Sequence, residues 1–233
     1  GYLIGPILNA GGRLGKSEFA TELLSSNNDL VIKDRSNHLI SLNNKRKEIE
    51  TLILSEIDFK KIEKENKDVV IYYNPNINLG LIGIIAARLK DYFNKPTVVI
   101  TTCNELLKGS ARSIYNYNIG RVIKNSLDKN IILNGGGHNM AAGFTLNKSN
   151  LKTFENYILE DFLNSRTIND NTFLYESEIS SLAFNQDFYD NIRKLEPFGT
   201  GNPVPTFMLR DLRIIKPILL HNKHISLILK SKT

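Results

Sequence analysis

Between residues 66 and 165 the hydrophobic period changes repeatedly, and this alternation restricts the fold more than any other feature of the chain. "DVVIYY" (68–73), "PTVVITT" (96–102) and "LLKGSARSI" (106–114) have the composition and length of strands. "GLIGIIAARLKDYF" (80–93), "NIGRVIKNSL" (118–127) and "SNLKTFENYILEDFL" (149–163) repeat apolar residues at helical spacing, the last two led by the capping residues Asn118 and Ser149. "AGFTL" (142–146) adds a further strand. Strands interleaved with helices of this length predict an α/β domain over 66–165 with a mixed sheet.

The flanking segments read differently. Residues 1–16 are Gly-rich and loop-like, Ser17 can cap a short helix "EFATELLSS", and "NND" at 27–29 interrupts it. From Leu30 to about Lys64, Ile32, Leu39, Leu42, Ile49, Leu52 and Ile53 mark a long helix, with "NNKRKE" and "KKIEKE" on a face expected to be solvated. A narrow stripe of this kind suits a helix that joins two domains. "NSRTINDNT" (164–172) reads as a linker. Beyond it, "FLYESEIS", "PTFMLRDLRIIKPILL" and "KHISLILK" read as strands around one helix, "NQDFYDNIRKL", and form a small β-rich unit that is incomplete at its C-terminal side. The start at Gly1 and the open final strand suggest a piece of a longer protein or the product of a broken gene.

Composition narrows the functional classes. The net charge is +6 and the pI about 9.2, a balance compatible with a polyanionic partner. No apolar run approaches the ~20 residues of a membrane-spanning helix. No secretory leader is apparent, and the single cysteine, Cys103, excludes an internal disulfide. A cytoplasmic setting is expected. His38, His221 and His224 lack metal-ligand spacing, and no zincin, nucleophile-elbow or Walker lysine motif is present.

Four stretches can carry chemistry. In "NGGGHNMAAG", Gly135, Gly136 and Gly137 either let an anion approach the backbone at a helix start, with His138 at the rim, or form a tight strand-to-helix turn with His138 as a cap. In "KGSARS", alternation puts Lys108, Ser110 and Arg112 on one strand face, as an anion grip or as a solvated polar face. In "GPILNAGGRLGK", Gly11, Gly12 and Gly15 bracket Arg13, which is either a ligand clamp or a loop residue tied to a backbone carbonyl. In "LGLIGIIAARL", Gly80 and Gly83 fit close strand–helix packing and not a dinucleotide fingerprint.

In this order, "GPILNAGGRLG", the helix with "NNKRKEIE", "LGLIGIIAARL", "KGSARSI" and "GGGHNMAAGFTL" resemble the RecJ family of the DHH phosphoesterase superfamily. "LEPFGTGNPVPTFMLRDLRI" resembles the start of that family's oligonucleotide-binding (OB) β-barrel. The resemblance implies the end of a DHH catalytic domain at 1–28, a long connecting helix at 29–65, a DHH-associated substrate-binding domain at 66–165 and a partial OB-type domain at 172–233. It implies a 5′→3′ exonuclease acting on single-stranded DNA in repair and recombination, with Mn²⁺ or Mg²⁺ held by the missing catalytic DHH domain. It implies that Arg13, Ser110 and Arg112 grip a 5′-phosphate, and that Gly135, Gly136, Gly137 and His138 line the nucleotide-binding face. One departure is plain. The family usually has a His-Pro-Gly-like turn before the "IG" helix, and here it reads Asn78-Leu79-Gly80. The rival readings are a small-oligonucleotide DHH phosphoesterase and a non-catalytic nucleic-acid-binding module or gene relic. This chain by itself is expected to be inactive, because the metal motifs are absent from it.

Overall fold

The computed structural model describes residues 3–165, 174–199, 201–220 and 224–231. The chain separates into two compact units, Gly1–Thr167 and Ile168–Thr233. The linker expected at 164–172 lies mostly outside the described residues, as does His221.

The first unit opens with a helix, α1 (Ile4–Arg13), where a Gly-rich loop was expected. Ala10 and Gly11 are buried beneath α3 (Asp29–Glu56), and this packing outweighs the low helix propensity of glycine. A Cβ on Gly11 would lie 2.3 Å from the Lys16 carbonyl oxygen, so the close approach requires glycine. α2 (Glu18–Ser25) begins after Ser17 as the sequence suggests, although the Ser17 side chain makes no capping hydrogen bond.

The long helix is interrupted. α3 ends at Glu56, and α4 (Phe59–Glu65) starts afresh with the Asp58 carboxylate accepting from Lys61 N at 2.9 Å. Ile57 sits in the break and is buried beside α5 (Ile82–Phe93). Its extended backbone lets the chain turn while one apolar surface stays continuous.

A five-stranded mixed sheet follows, in the order β1–β2–β3–β5–β4: Val70–Tyr73, Thr97–Cys103, Leu106–Arg112, Ala141–Asn147 and Asn134–His138 for β1, β2, β3, β5 and β4. Only β1 and β2 run parallel. On one face, α6 (Ile119–Asp128) and α7 (Leu151–Ser165) bury Leu107, Ala111, Ala142, Phe144 and Leu146. α6 is capped by Asn118, whose side chain accepts from Arg121 N. α7 follows a 3₁₀ turn over Lys148–Asn150, within which Ser149 bonds Asn150 instead of capping the helix. On the other face, α5 packs on β1, β2 and β3 and leaves β5 and β4 bare.

In the second unit, β6 (Ser177–Glu178) pairs with β7 (Phe207–Met208), and β8 (Arg213–Leu220) pairs with β9 (His224–Lys230). α8 (Gln186–Arg193) is capped by Asn185. Among the described residues these are two separate two-stranded sheets. No helix among them is long and apolar enough to cross a membrane.

Candidate nucleic-acid interface

The triple glycine opens neither a helix nor a strand-to-helix turn. Gly135, Gly136 and Gly137 are strand β4, at the edge of the sheet, so the expected helix-dipole contribution is absent. None of the three has a positive φ. Glycine is poor in strands, and for that reason the segment does not read as one in the sequence. The packing explains the residues. A Cβ on Gly135 would lie 2.8 Å from Ile123 and 2.9 Å from Ile132, and one on Gly137 would lie 2.3 Å from the Ala141 carbonyl oxygen. Gly136 points the opposite way and meets nothing within 4 Å.

The register turns this strand into part of a grid. Lys108 faces Thr145, which faces Asn134; Ser110 faces Gly143, which faces Gly136; Arg112 faces Ala141, which faces His138. Paired residues share a face, so all nine lie on the side that α5 leaves bare over β5 and β4. The burial of β3 alternates strictly, with Leu107, Gly109 and Ala111 buried and Lys108, Ser110 and Arg112 half-buried. The expected common face of Lys108, Ser110 and Arg112 is therefore formed. The middle row, Ser110–Gly143–Gly136, carries only a hydroxyl and forms a flat floor.

Arg112 Nη1 donates to Ser110 Oγ at 3.0 Å and to the Ala111 carbonyl at 2.8 Å. Gly83, in the first turn of α5, leaves room for its other nitrogen, since a Cβ there would lie 2.7 Å from Arg112 Nη2 and 3.2 Å from Ser110 Oγ. Arg13 ends α1, and its Nη1 donates to the Gly80 carbonyl at 3.1 Å. A Cβ on Gly80 would lie 2.1 Å from the Arg13 carbonyl oxygen. The turn that opens α5 is thus locked to α1, and the Asn78 side chain closes that turn by accepting from Gly80 N at 2.8 Å. Both glycines of "LGLIGIIAARL" serve close packing, Gly80 against α1 and Gly83 against β3.

Burial, and then the charge of Arg13, lower the proton affinity of Arg112. Burial, and then Arg46, lower that of Arg13, with Glu50 acting in the opposite direction. Guanidiniums remain protonated regardless. The two cations therefore repel each other across a half-buried space, and a bound anion would relieve that repulsion.

His138 ends β4, exposed, and its Nδ1 accepts from Met140 N at 3.3 Å across the hairpin turn. The same hairpin meets the start of α6, where Ile119 N donates to the Asn139 carbonyl at 3.2 Å.

α3 supplies a feature that the sequence reading assigned to solvent at Asn43 and Arg46. Asn43, Arg46 and Glu50 are buried. Arg46 Nη1 donates to Glu50 Oε2 at 2.7 Å, Arg46 Nε to Asn43 Oδ1 at 3.2 Å, and Arg88 Nε of α5 to Glu50 Oε1 at 2.7 Å. With buried Leu39, these positions fall at intervals of four, three and four. That helical spacing was the available signal, and it was obscured because the residues are polar.

Among the described residues no three His, Cys, Asp or Glu side chains come together to hold a metal ion.

Comparison with known proteins agrees with this architecture. The DHHA1 domain model matches residues 66–164, and the RecJ OB domain model matches 175–233. A chain with a DHHA1 domain followed by such an OB domain falls in the DHH phosphoesterase class. More particularly, it belongs to the RecJ family. It is 32% identical over 218 residues to the single-stranded-DNA-specific exonuclease RecJ of Haemophilus influenzae, covering 89% of this chain and 38% of that one. It is 26% identical over 243 residues to the Bacillus subtilis protein of the same name, covering 100% of this chain and 30% of that one. RecJ of Thermus thermophilus in complex with Mn²⁺ superposes with a TM-score of 0.79 at 22% identity, over 99% of this chain and 35% of that one. The chain therefore spans 30% to 42% of the length of the curated relatives it matches.

Proposed function

We propose that this chain is the substrate-binding portion of a single-stranded-DNA-specific 5′→3′ exonuclease that serves DNA repair and recombination. The observation that carries the reading is the paired guanidinium site: Arg112, oriented by Ser110 and flanked by Arg13, beside a flat glycine floor. Arginine presents a planar fork to phosphate oxygens, and Ser110 adds a hydroxyl to the same face. Arg13, Ser110 and Arg112 would hold the terminal 5′-phosphate. Gly135, Gly136, Gly137 and His138 would border the nucleotide that follows.

In this reading residues 1–28 close a catalytic DHH domain, and residues 29–65 join it to the binding domain. The T. thermophilus structures contain Mg²⁺ or Mn²⁺. The described residues do not fit such an ion, so what this chain contributes is grip and orientation. The RecJ OB match at 175–233 favours a long single strand as ligand over a short oligonucleotide.

The test is binding of a labelled single strand by the 233-residue chain, with the 5′ end phosphorylated or left as hydroxyl. Tighter binding of the phosphorylated strand supports the reading. Equal binding of both ends contradicts the assignment of the phosphate site.

A further inference from the structure

Beside the arginine pair lies an open groove of about 480 Å³, floored by Gly136 and Gly143 and bordered by Leu79, Lys108, Asn134 and Thr145. It contains no carboxylate. Lys108 is half-buried at its edge and has no hydrogen-bond or ion-pair partner among the described residues. An unpaired lysine, half-buried at the edge of a groove without acids, is suited to an anion. Asn134 and Thr145 lie in its row of the sheet and add neutral hydrogen-bonding groups.

Spacing indicates which anion. A strand rises roughly 3.4 Å per residue, so Lys108 stands roughly 7 Å from Ser110 and roughly 14 Å from Arg112 along β3. Consecutive phosphates of an extended single strand lie a comparable distance apart, about twice the ~3.4 Å per-strand rise of a stacked duplex. The two-residue repeat of β3 therefore matches the repeat of a nucleic-acid backbone laid along it. Leu79, exposed on the turn before α5, lines the same groove and offers an apolar wall to a base or sugar.

We propose that this groove is a second subsite, in which Lys108 holds an internal phosphodiester of the strand whose 5′ end Arg112 holds. The inference rests on the reading of the Arg112 site given above. It makes Lys108 a determinant of polymer binding and not of end recognition.

The experiment measures competition by 5′-thymidylate and by a 5′-phosphorylated thymidine tetranucleotide against a fluorescent strand, with the full chain and its Lys108→Met and Arg112→Ala variants. Lys108→Met is expected to weaken the tetranucleotide about tenfold and the mononucleotide less than twofold. It should also reduce the salt slope for the tetranucleotide by about 0.7, the value for one phosphate contact on a single strand. Lys108→Arg should retain binding. Arg112→Ala should weaken both ligands. If Lys108→Met affects both ligands equally, or neither, while Arg112→Ala weakens both, this subsite is wrong and the end-binding reading stands. If Arg112→Ala affects neither ligand, the underlying reading fails first.

Discussion

Gly83 and Arg112 meet across the α5–β3 contact so closely that a single added carbon on the helix would lie 2.7 Å from the guanidinium Nη2. The glycine therefore sets where the guanidinium rests. Replacing Gly83 with alanine should favour the helix by up to ~1 kcal/mol through propensity. It should also displace Arg112 and reduce affinity for a 5′-phosphorylated strand several-fold. The check is melting temperature measured beside affinity. A variant that binds as tightly as the parent would show that Arg112 can move without cost.

The three glycines of β4 should separate by face. Gly136→Val places its side chain over open floor, so stability should hold while strand binding falls at least fivefold. Gly135→Val drives a branched side chain into Ile123 and Ile132, and overpacking of this kind costs about 1–3 kcal/mol. Urea denaturation of both variants checks the contrast. Equal destabilisation would refute the assignment of faces.

Glu50 should matter far more to stability than its partner Arg88. The Glu50 side chain is 8% exposed and Arg88 58%. Removing the acid in Glu50→Ala leaves Arg46 buried and unpaired, at a cost of about 3 kcal/mol. Arg88→Ala removes an exposed member and should cost under ~1 kcal/mol. Chemical denaturation checks both, and the reverse order would contradict the network.

Binding should not require a metal ion, and cleavage should not occur. No described cluster of ligands can hold a divalent ion, so EDTA should leave single-strand affinity unchanged while added salt weakens it. Incubation of the purified chain with Mn²⁺ and a labelled strand should release no 5′-mononucleotides. Release that Arg112→Ala abolishes would place an active site within this chain.

What the sequence revealed and what it concealed follow from the same physics. β3 was legible because its alternation is complete: Leu107 and Ala111 face the core while Lys108, Ser110 and Arg112 face outward. α6 was legible from Asn118 and its strong apolar face. β4 was concealed because glycine carries no strand signal, and its pairing with β5 is a tertiary fact. α1 was concealed because Gly5, Gly11 and Gly12 resemble a loop, and the helix is held by the burial of Ala10 and Gly11 under α3, which is a tertiary fact. The union of Arg13 with Arg112 came from the family resemblance and not from the residues themselves, since 99 positions separate them and the Arg13–Gly80 contact that holds α1 against the turn before α5 is tertiary.

The central claim is that Arg112 holds a terminal phosphate, and one comparison tests it most directly: affinities of the parent chain and Arg112→Ala for the same single strand, 5′-phosphorylated and 5′-hydroxyl. Loss of one charge-assisted partner costs about 2 kcal/mol or more, which is ~30-fold in affinity. That loss should fall on the phosphorylated strand, so that the variant binds both strands alike. An equal loss on both strands would contradict the account.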